Sequence, residues 1–321
     1  MKSISVIIPN YNGEALLKEN LPYIFNALES SNISNFEIII PDDNSSDNSI
    51  QFIEEYYSDI ILVKNKVNKG FSGNTNSGIL KATKDLLFIV NTDVQLTKNY
   101  FTPLLHYFDK DDTFGVMGRI VSIDEKEHQD AAKYPGYSFG NIISTENYFY
   151  ETNEPIYSFF LSGANSLVDR KKMSGLGNYN ELFNPYYSED ADLGFRAWRK
   201  GFKLYYENKS VCKHPNSVTI QKEPSDKVKR ITKRNKIYLH FLHLNGFELK
   251  YYLFILTIKA HFNLIIGKKS YYNSYKEFKS NKVKLIKYKN NFEQSNLVTK
   301  SIKEVVNFIK GNIDSQNLKR F

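Results

Sequence analysis

The sequence predicts an α/β protein in which a mainly parallel sheet is flanked by helices and followed by a basic, mainly helical C-terminal extension. Three observations carry this. Short apolar runs alternate with longer helix-period segments through the first half of the chain, the pattern of βα units laid side by side. Polar clusters follow those runs at 10–13, 42–47 and 91–93, where the C-terminal ends of parallel strands would form one ligand-binding edge. The charge also changes sign: residues 226–321 hold 21 Lys/Arg against 6 Asp/Glu, a net of +15, whereas residues 1–225 carry a net of −7. The expected division is therefore a body over 1–225 and an extension over 226–321.

Taken in order, the run at 4–8 is a first strand, too short for a secretory signal core and stopped by Pro9-Asn10. Strands at 37–41, 60–64 and 86–91 follow, and helices over 14–30, 48–57, 73–82 and 100–108 have the length of crossovers. Residues 124–155 are polar and aromatic without a clear period and are expected to be a loop-rich insertion over the site. A helix opens in the cluster Ser188-Glu189-Asp190-Ala191-Asp192 and runs to 200, and a short strand covers 210–213. From 227 onward the pattern is helical, with 15 Tyr/Phe among the last 96 positions. The apolar stretch at 251–266 is interrupted by Lys259, His261 and Asn263 and falls short of the ~20 residues of a spanning helix, so no transmembrane segment is expected. The single Cys212 excludes an intrachain disulfide and fits a reducing compartment, with the cytoplasm as the expectation.

Two acidic positions stand out for chemistry. Asp93 follows a buried apolar strand and would bring a carboxylate to the ligand edge, a position suited to a hard divalent cation that also holds phosphate oxygens. The same residue would serve equally as a turn or N-cap aspartate. The 188–192 cluster lies in a first helical turn, where carboxylates ordinarily complement the helix dipole.

In order and spacing these elements join a larger pattern: SVIIPNYNG at 5–13, EIIIPDDNSSDNS at 37–49, NKGFSGNTNSGI at 68–79, FIVNTDV at 88–94, SGANSLVDR at 162–170, and the stretch from Gly175 through SEDADLGFRAWRKGF to His214. Over residues 3–215 the chain resembles a family 2 glycosyltransferase of the GT-A fold, most of all the bacterial rhamnosyltransferases and related surface-polysaccharide enzymes. The resemblance implies that Pro9 and Tyr11 meet a nucleotide base and that Asp42 accepts the base N3-H, a donor that uracil and thymine both present. It places Asn68, Gly70, Phe71 and Gly73 along the nucleotide, where small residues and a helix start would suit a diphosphate. Asp93 becomes the ligand of Mn²⁺ or Mg²⁺, joined in some relatives by a histidine matching His214. Asn91 stands where the family's motif has its first acid and is expected at the donor site. Asp190, with Glu189 beside it, matches the catalytic base that takes the acceptor hydroxyl's proton, which implies inversion by direct displacement. Arg196 would reach phosphate or orient a carboxylate.

The implied function is metal-dependent transfer of a sugar from a UDP- or dTDP-sugar to a hydroxyl of a glycan or lipid-linked glycan acceptor in cell-surface polysaccharide synthesis. The extension suits an anionic membrane surface on the inner face of the plasma membrane, or self-association into a homodimer. Nucleic acid is disfavoured, because the carboxylates at the strand ends make the ligand edge acidic. A catalytically silent nucleotide-sugar-binding scaffold is the alternative. Nucleotidyl transfer is disfavoured by the lack of Lys or Arg in Asn10-Tyr11-Asn12-Gly13.

Overall fold

Four short runs of Ile, Leu and Val build one half of the central sheet. In a computed structural model that describes residues 2–143, 146–152, 154–215, 224–294, 298–313 and 317–321, β1 (Ile4–Ile7), β2 (Phe36–Asp42), β3 (Ile61–Lys64) and β4 (Leu86–Val90) lie parallel in the order β3-β2-β1-β4. The crossovers are α1 (Glu14–Ser30), α2 (Ser49–Tyr56) and α3 (Gly70–Ile79). In α1 the buried Leu17, Leu21, Ile24 and Leu28 recur at helical spacing, and the Asp47 carboxylate accepts the Glu14 N–H at the helix start, supplying an orphan donor with a partner.

The other half is entered through β5 (Gln95–Leu96), the single turn of α4 (Thr102–Leu105), a 3₁₀ turn at His106–Asp109, and the nine-residue β6 (Thr113–Val121). Short strands then occupy 128–157: β7 (His128–Asp130), β8 (Ala132–Lys133), β9 (Gly136–Ser138), β10 (Asn141–Ile143), β11 (Asn147–Phe149) and β12 (Ile156–Tyr157). After β13 (Asn165–Asp169), α5 (Arg170–Gly175) and α6 (Glu189–Arg199), the eleven-residue β14 (Lys203–Lys213) returns to the sheet. β13 runs antiparallel between β4 and β6, and β14 runs parallel to β6. Two reversals restore the direction, so six of the seven longer strands point the same way and the end of β14 arrives at the same edge as the ends of β1, β2 and β4.

The period of two along each strand splits the core. Ile4, Val6 and Ile8 with Ile38, Ile40, Phe88 and Val90 face α1, while Ile7, Ile39, Leu87 and Ile89 face the opposite layer. That second layer continues through α6 into α7 (Ser225–His243), α9 (Lys269–Glu293) and α10 (Ile302–Gly311), with Phe195, Trp198, Phe241, Phe278, Leu285, Val305 and Ile309 in one cluster. The helix α8 (Gly246–Ile265) lies outside most of it, and β15 (Lys319–Arg320) pairs with β11. The extension thus shares its core with the body. Arg199 of α6 strengthens the seam by pairing with Glu293 at 2.6 Å and resting over Phe292.

Several elements differ from the sequence expectation. The helix expected over 100–108 is one α turn and one 3₁₀ turn, the strand expected at 210–213 begins at Lys203, and 124–155 contains short strands. β6 escapes periodicity because Gly115 and Gly118 interrupt it. A Cβ on Gly118 would lie 2.4 Å from the Ser210 carbonyl and on Gly115 2.6 Å from that of Leu167, so only glycine lets the neighbouring chain approach.

Trp198 tests the shared core. It is fully buried between Tyr157 and Phe308 and donates its ring N–H to the Ser158 carbonyl at 3.0 Å. Trp198→Ala should lower the free energy of unfolding by about 3–5 kcal/mol, read as a shifted denaturant midpoint with α10 and the sheet unfolding in one transition.

Candidate active site

Two loops at the strand ends are laced together. Asn10 and Asp42 form a parallel bridge beyond β1 and β2. The Asp42 carboxylate, with no exposed surface, accepts from the Ser45 N–H at 2.9 Å, the Ser45 hydroxyl at 2.6 Å and the Asn10 amide at 2.8 Å. Asn12 returns the grip, donating its N–H to Ser45 Oγ and accepting from the Ser46 N–H. Expected at a base edge, Asp42 instead has both oxygens taken by its own loop. Pro9 is half-buried beside it, and Tyr11, half exposed, is the open side chain of this corner.

The neighbouring Asp43, which the sequence reading passes over, accepts from the Lys69 N–H at 2.8 Å and the Gly70 N–H at 2.9 Å. Burial pushes its carboxyl up, and these donors offset part of the rise. The start of α3 is therefore not open to a diphosphate. The Gly70 N–H also faces Asn68 Oδ1, the Phe71 N–H donates to the Pro185 carbonyl, and the Ser72 N–H to Asn184 Oδ1. Gly70 has φ +72° and a Cβ there would lie 2.8 Å from Pro185 Cα, while one on Gly73 would lie 2.7 Å from Lys69 Cβ. Expected to admit a nucleotide, Gly70 instead admits the 184–185 loop and Gly73 the Lys69 side chain. Phe71 packs edge-on against Tyr179, and Asn68 is exposed.

Asp93 and His214 meet as the strand directions require. His214 Nε2 lies 3.2 Å from Asp93 Oδ1, and its other nitrogen faces Gln129 Oε1 at 3.2 Å, which holds the ring in place. Asp93 Oδ1 is buried with no hydrogen-bond donor among the described residues. An oxygen left in that state beside an imidazole fits a divalent cation that keeps water and phosphate in its remaining positions. Among the described residues no group of three or more His, Cys, Asp or Glu could hold a metal ion, so a cation here would have at most two such ligands from the described residues. Asn91 donates its N–H to the Ala164 carbonyl at 3.2 Å, which sets it at the end of β4 beside the approach to β13.

The third part is the first turn of α6. Tyr187 and Ser188 both have left-handed backbones, at φ 74° and 72°, just before Glu189. Asn235 of α7, fully buried, holds that bend by donating to the carbonyls of Phe183, Tyr186 and Tyr187 at 2.6–2.8 Å. Three carboxylates follow. Asp192 accepts from Arg196 Nε at 2.8 Å and His243 Nε2 at 2.9 Å; although burial alone would raise its carboxyl, these partners keep it below its ordinary value. Glu189 is buried with Oε2 unpartnered, and burial together with the Asp190 charge pushes its carboxyl well above the carboxylate range. Asp190 is half-buried and pushed up to about 6, mainly by burial, with Lys133 opposing the rise. Of the expected pair, Asp190 is the carboxylate that ionises near neutrality. Arg196 cannot reach a phosphate: it is 1% exposed, and its other nitrogens donate to the carbonyls of Leu176 and Asn178.

The segment 129–133 spans the two acidic positions, with Gln129 on His214 and with Asp130 and Lys133, themselves paired, within electrostatic reach of Asp190. Sequence reasoning missed Asp43, Asn184, Asn235, His243 and this segment. Only Asp43 carried a signal, its place beside Asp42.

A mostly parallel sheet layered with helices and carrying an acidic strand edge is the architecture of the GT-A glycosyltransferases. The chain belongs to glycosyltransferase family 2, whose model matches residues 5–176, and it is a glycosyltransferase. It is 23% identical over 231 residues to the O-antigen chain rhamnosyltransferase WbaN of Salmonella anatum, covering 70% of this chain and 69% of that one. To the uncharacterized glycosyltransferase YfnE of Bacillus subtilis it is 25% identical over 271 residues, 67% of each chain. Among solved structures, GalNAc-T7 with UDP, GalNAc and Mn²⁺ has a TM-score of 0.68 at 15% identity, over 99% of this chain and 58% of that one. The mannosyltransferase PcManGT of Pyrobaculum calidifontis, with GDP-Man and Mn²⁺, has a TM-score of 0.53 at 13% identity, over 96% and 84%.

Two outcomes follow from the α6 turn. Because the folded Asp190 holds its proton to about pH 6, the unfolded chain loses that proton first, and its ionisation costs stability as pH rises from ~4 to ~6. Asp190→Asn should therefore raise stability at pH 7.5 by on the order of 2 kcal/mol and leave it little changed at pH 3.5, read from urea midpoints. Asn235→Ala should cost about 1–3 kcal/mol, since three carbonyls lose their donor.

Proposed function

We propose that the protein transfers a sugar from a UDP- or dTDP-sugar to a hydroxyl of a glycan or lipid-linked glycan acceptor, with inversion, in cell-surface polysaccharide synthesis. The observation that carries this reading is segment 129–133, which meets the Asp93–His214 pair through Gln129 and lies within electrostatic reach of the half-buried Asp190. Relatives and neighbours named for rhamnosyl transfer, UDP and Mn²⁺ support it.

In this reading Pro9 and Tyr11 receive the base, and Asp42 acts through the loop it holds together. Asn91 faces the donor sugar or phosphate. Asp93 and His214 would hold Mn²⁺ or Mg²⁺, which when bound neutralises charge on a departing diphosphate. Asp190 takes the proton of the acceptor hydroxyl as that oxygen attacks the anomeric carbon. A pKa near 6 leaves it ionised at neutral pH yet basic enough for the task. Glu189 and Arg196 are positioning residues, the first by its charge state beside Asp190 and the second by fixing Asp192. The acceptor would be met at the anionic inner face of the plasma membrane, which the basic extension suits. The silent-scaffold alternative is disfavoured because Asp190 is half-buried yet held near 6, in the range of a working base.

Thermal-shift screening of UDP- and dTDP-sugars with and without Mn²⁺ should find a stabilising donor. With that donor, Asp190→Asn should lower kcat by about 10²–10⁴-fold with nucleotide affinity nearly unchanged; turnover like the wild type removes the role. The wild-type profile of kcat/KM should fall on the acid side with a midpoint near 6. Asp93→Ala should be nearly inactive, and EDTA should abolish wild-type transfer. Full activity of the variant in chelator overturns the metal assignment.

A further inference from the structure

Helix α8 has only Leu256 and Ala260 fully buried among its 20 residues. Phe247, Tyr251, Phe254, Ile258, Phe262 and Ile265 stand 70, 41, 62, 51, 59 and 81% exposed. Their spacings of 4, 3, 4, 4 and 3 residues set them in one stripe down a helix about 30 Å long. Phe139, 55% exposed on the turn between β9 and β10, packs on Phe247 and Tyr251 and lengthens the stripe.

The charges around the stripe are sorted. Residues 246–293 hold ten lysines and three glutamates. Each glutamate is engaged inside the protein: Glu248 with the Tyr137 hydroxyl, Glu277 with Arg230 and Arg234, and Glu293 with Arg199. Lys250 and Lys259 flank the stripe, and Lys268 and Lys269 close its end, all exposed. Beside α8 a cavity of about 460 Å³ is lined by Ile237, Tyr252 and Leu256 together with Lys233, Lys236 and Lys259. An apolar ridge bordered by cations, beside a greasy hollow lined by lysines as well, matches an anionic amphiphile in both parts. Among the described residues no helix is long and apolar enough to cross a membrane.

We infer that α8 is a docking element that lies in the headgroup layer of a bilayer containing anionic phospholipid, with the stripe among the upper acyl chains and the flanking lysines at the phosphates. The inference rests on the proposed membrane-side acceptor for its partner and adds the face that meets it. A second copy is the poorer occupant, because a twofold contact would press this lysine-rimmed face against its like.

The test uses the full chain with vesicles of phosphatidylcholine alone or mixed with phosphatidylglycerol, across a salt series. Co-sedimentation should need the anionic lipid and weaken, without vanishing, as salt rises. Phe254→Asp with Phe262→Asp should cut partitioning by at least about tenfold, with the thermal midpoint and donor-nucleotide affinity unchanged because both side chains are exposed. Trp198 is buried, so Ile258→Trp adds an exposed reporter whose fluorescence should be quenched by brominated lipid. Equal binding to neutral vesicles, no binding at low salt, or an unquenched tryptophan on bound protein overturns the inference. So does a dimer that Phe254→Asp dissociates in a chain that ignores vesicles. If vesicles bind but no donor nucleotide does, the docking face stands and the glycosyl-transfer reading fails.

Discussion

Asp192 has no exposed surface, and an ionised carboxylate in that setting persists only when paired and hydrogen-bonded. Arg196, one helical turn on, and His243, from α7, supply both needs at 2.8 and 2.9 Å. Burial pushes His243 down to about 4, so at neutral pH its neutral ring donates from Nε2 and the net charge of the group comes from Asp192 and Arg196 alone. Among the described residues neither of the other two acids of the turn forms an ion pair, and Lys133 acts on Asp190 only from beyond contact. Their raised values come chiefly from burial: one strongly paired carboxylate fixes the helix, and the two beside it are held in a setting that resists ionisation. A surface helix with the same three acids would only complement its dipole.

The bend before α6 is coupled to the donor side by the same economy of partners. Asn184 and Pro185 give their side-chain and main-chain oxygens to the N–H groups of Ser72 and Phe71, while Asn235 grips the carbonyls on either side. One loop therefore closes the start of α3, sets two left-handed residues ahead of Glu189, and is tied to α7. Strained backbone of this kind costs on the order of 1–3 kcal/mol per residue and persists only when its surroundings over-determine it. Here the two N–H groups of the Asn235 amide, shared among three carbonyls, do so.

The parallel half of the fold was legible because each of β1, β2 and β4 is a short apolar run ended by a polar cluster. The second half was not, because its directions depend on β13 reversing between β4 and β6, a pairing that leaves no local mark. Asp93 and Asp190 could be singled out from their positions after a strand and at a helix start. Roles assigned by motif to Asp42, Gly70, Gly73 and Arg196 met a different geometry, since whether a group faces ligand or protein depends on which neighbours the fold brings to it, from the nearby Ser45 at Asp42 to the distant Asn184 at Ser72. Asn235 and His243 look like ordinary polar residues of a basic helix; only the burial of α7 makes them part of the site.

The extension's charge is likewise not spread evenly. Glu293 and Glu248 turn to the body, meeting Arg199 and Tyr137, Glu277 pairs within the extension with Arg230 and Arg234, and the apolar inner faces merge with the core under α6. The exposed side of the extension carries most of its lysines and the α8 stripe, with Asp226 and Glu304 also exposed. The body carries the opposite sign, and Asp42, Asp43 and Asp93 among its carboxylates sit at the strand ends. At physiological ionic strength fields reach only about 8–10 Å, so an anionic surface near the chain acts on whichever face is closest, attracting the extension and repelling the acidic edge. The first effect favours an orientation with α8 toward the surface, and the second one with the acidic edge turned away from it. An acceptor anchored in that surface would then have to extend its sugar end past segment 129–133 to reach Asp190, which ties the reach of the acceptor to the geometry of the shared core.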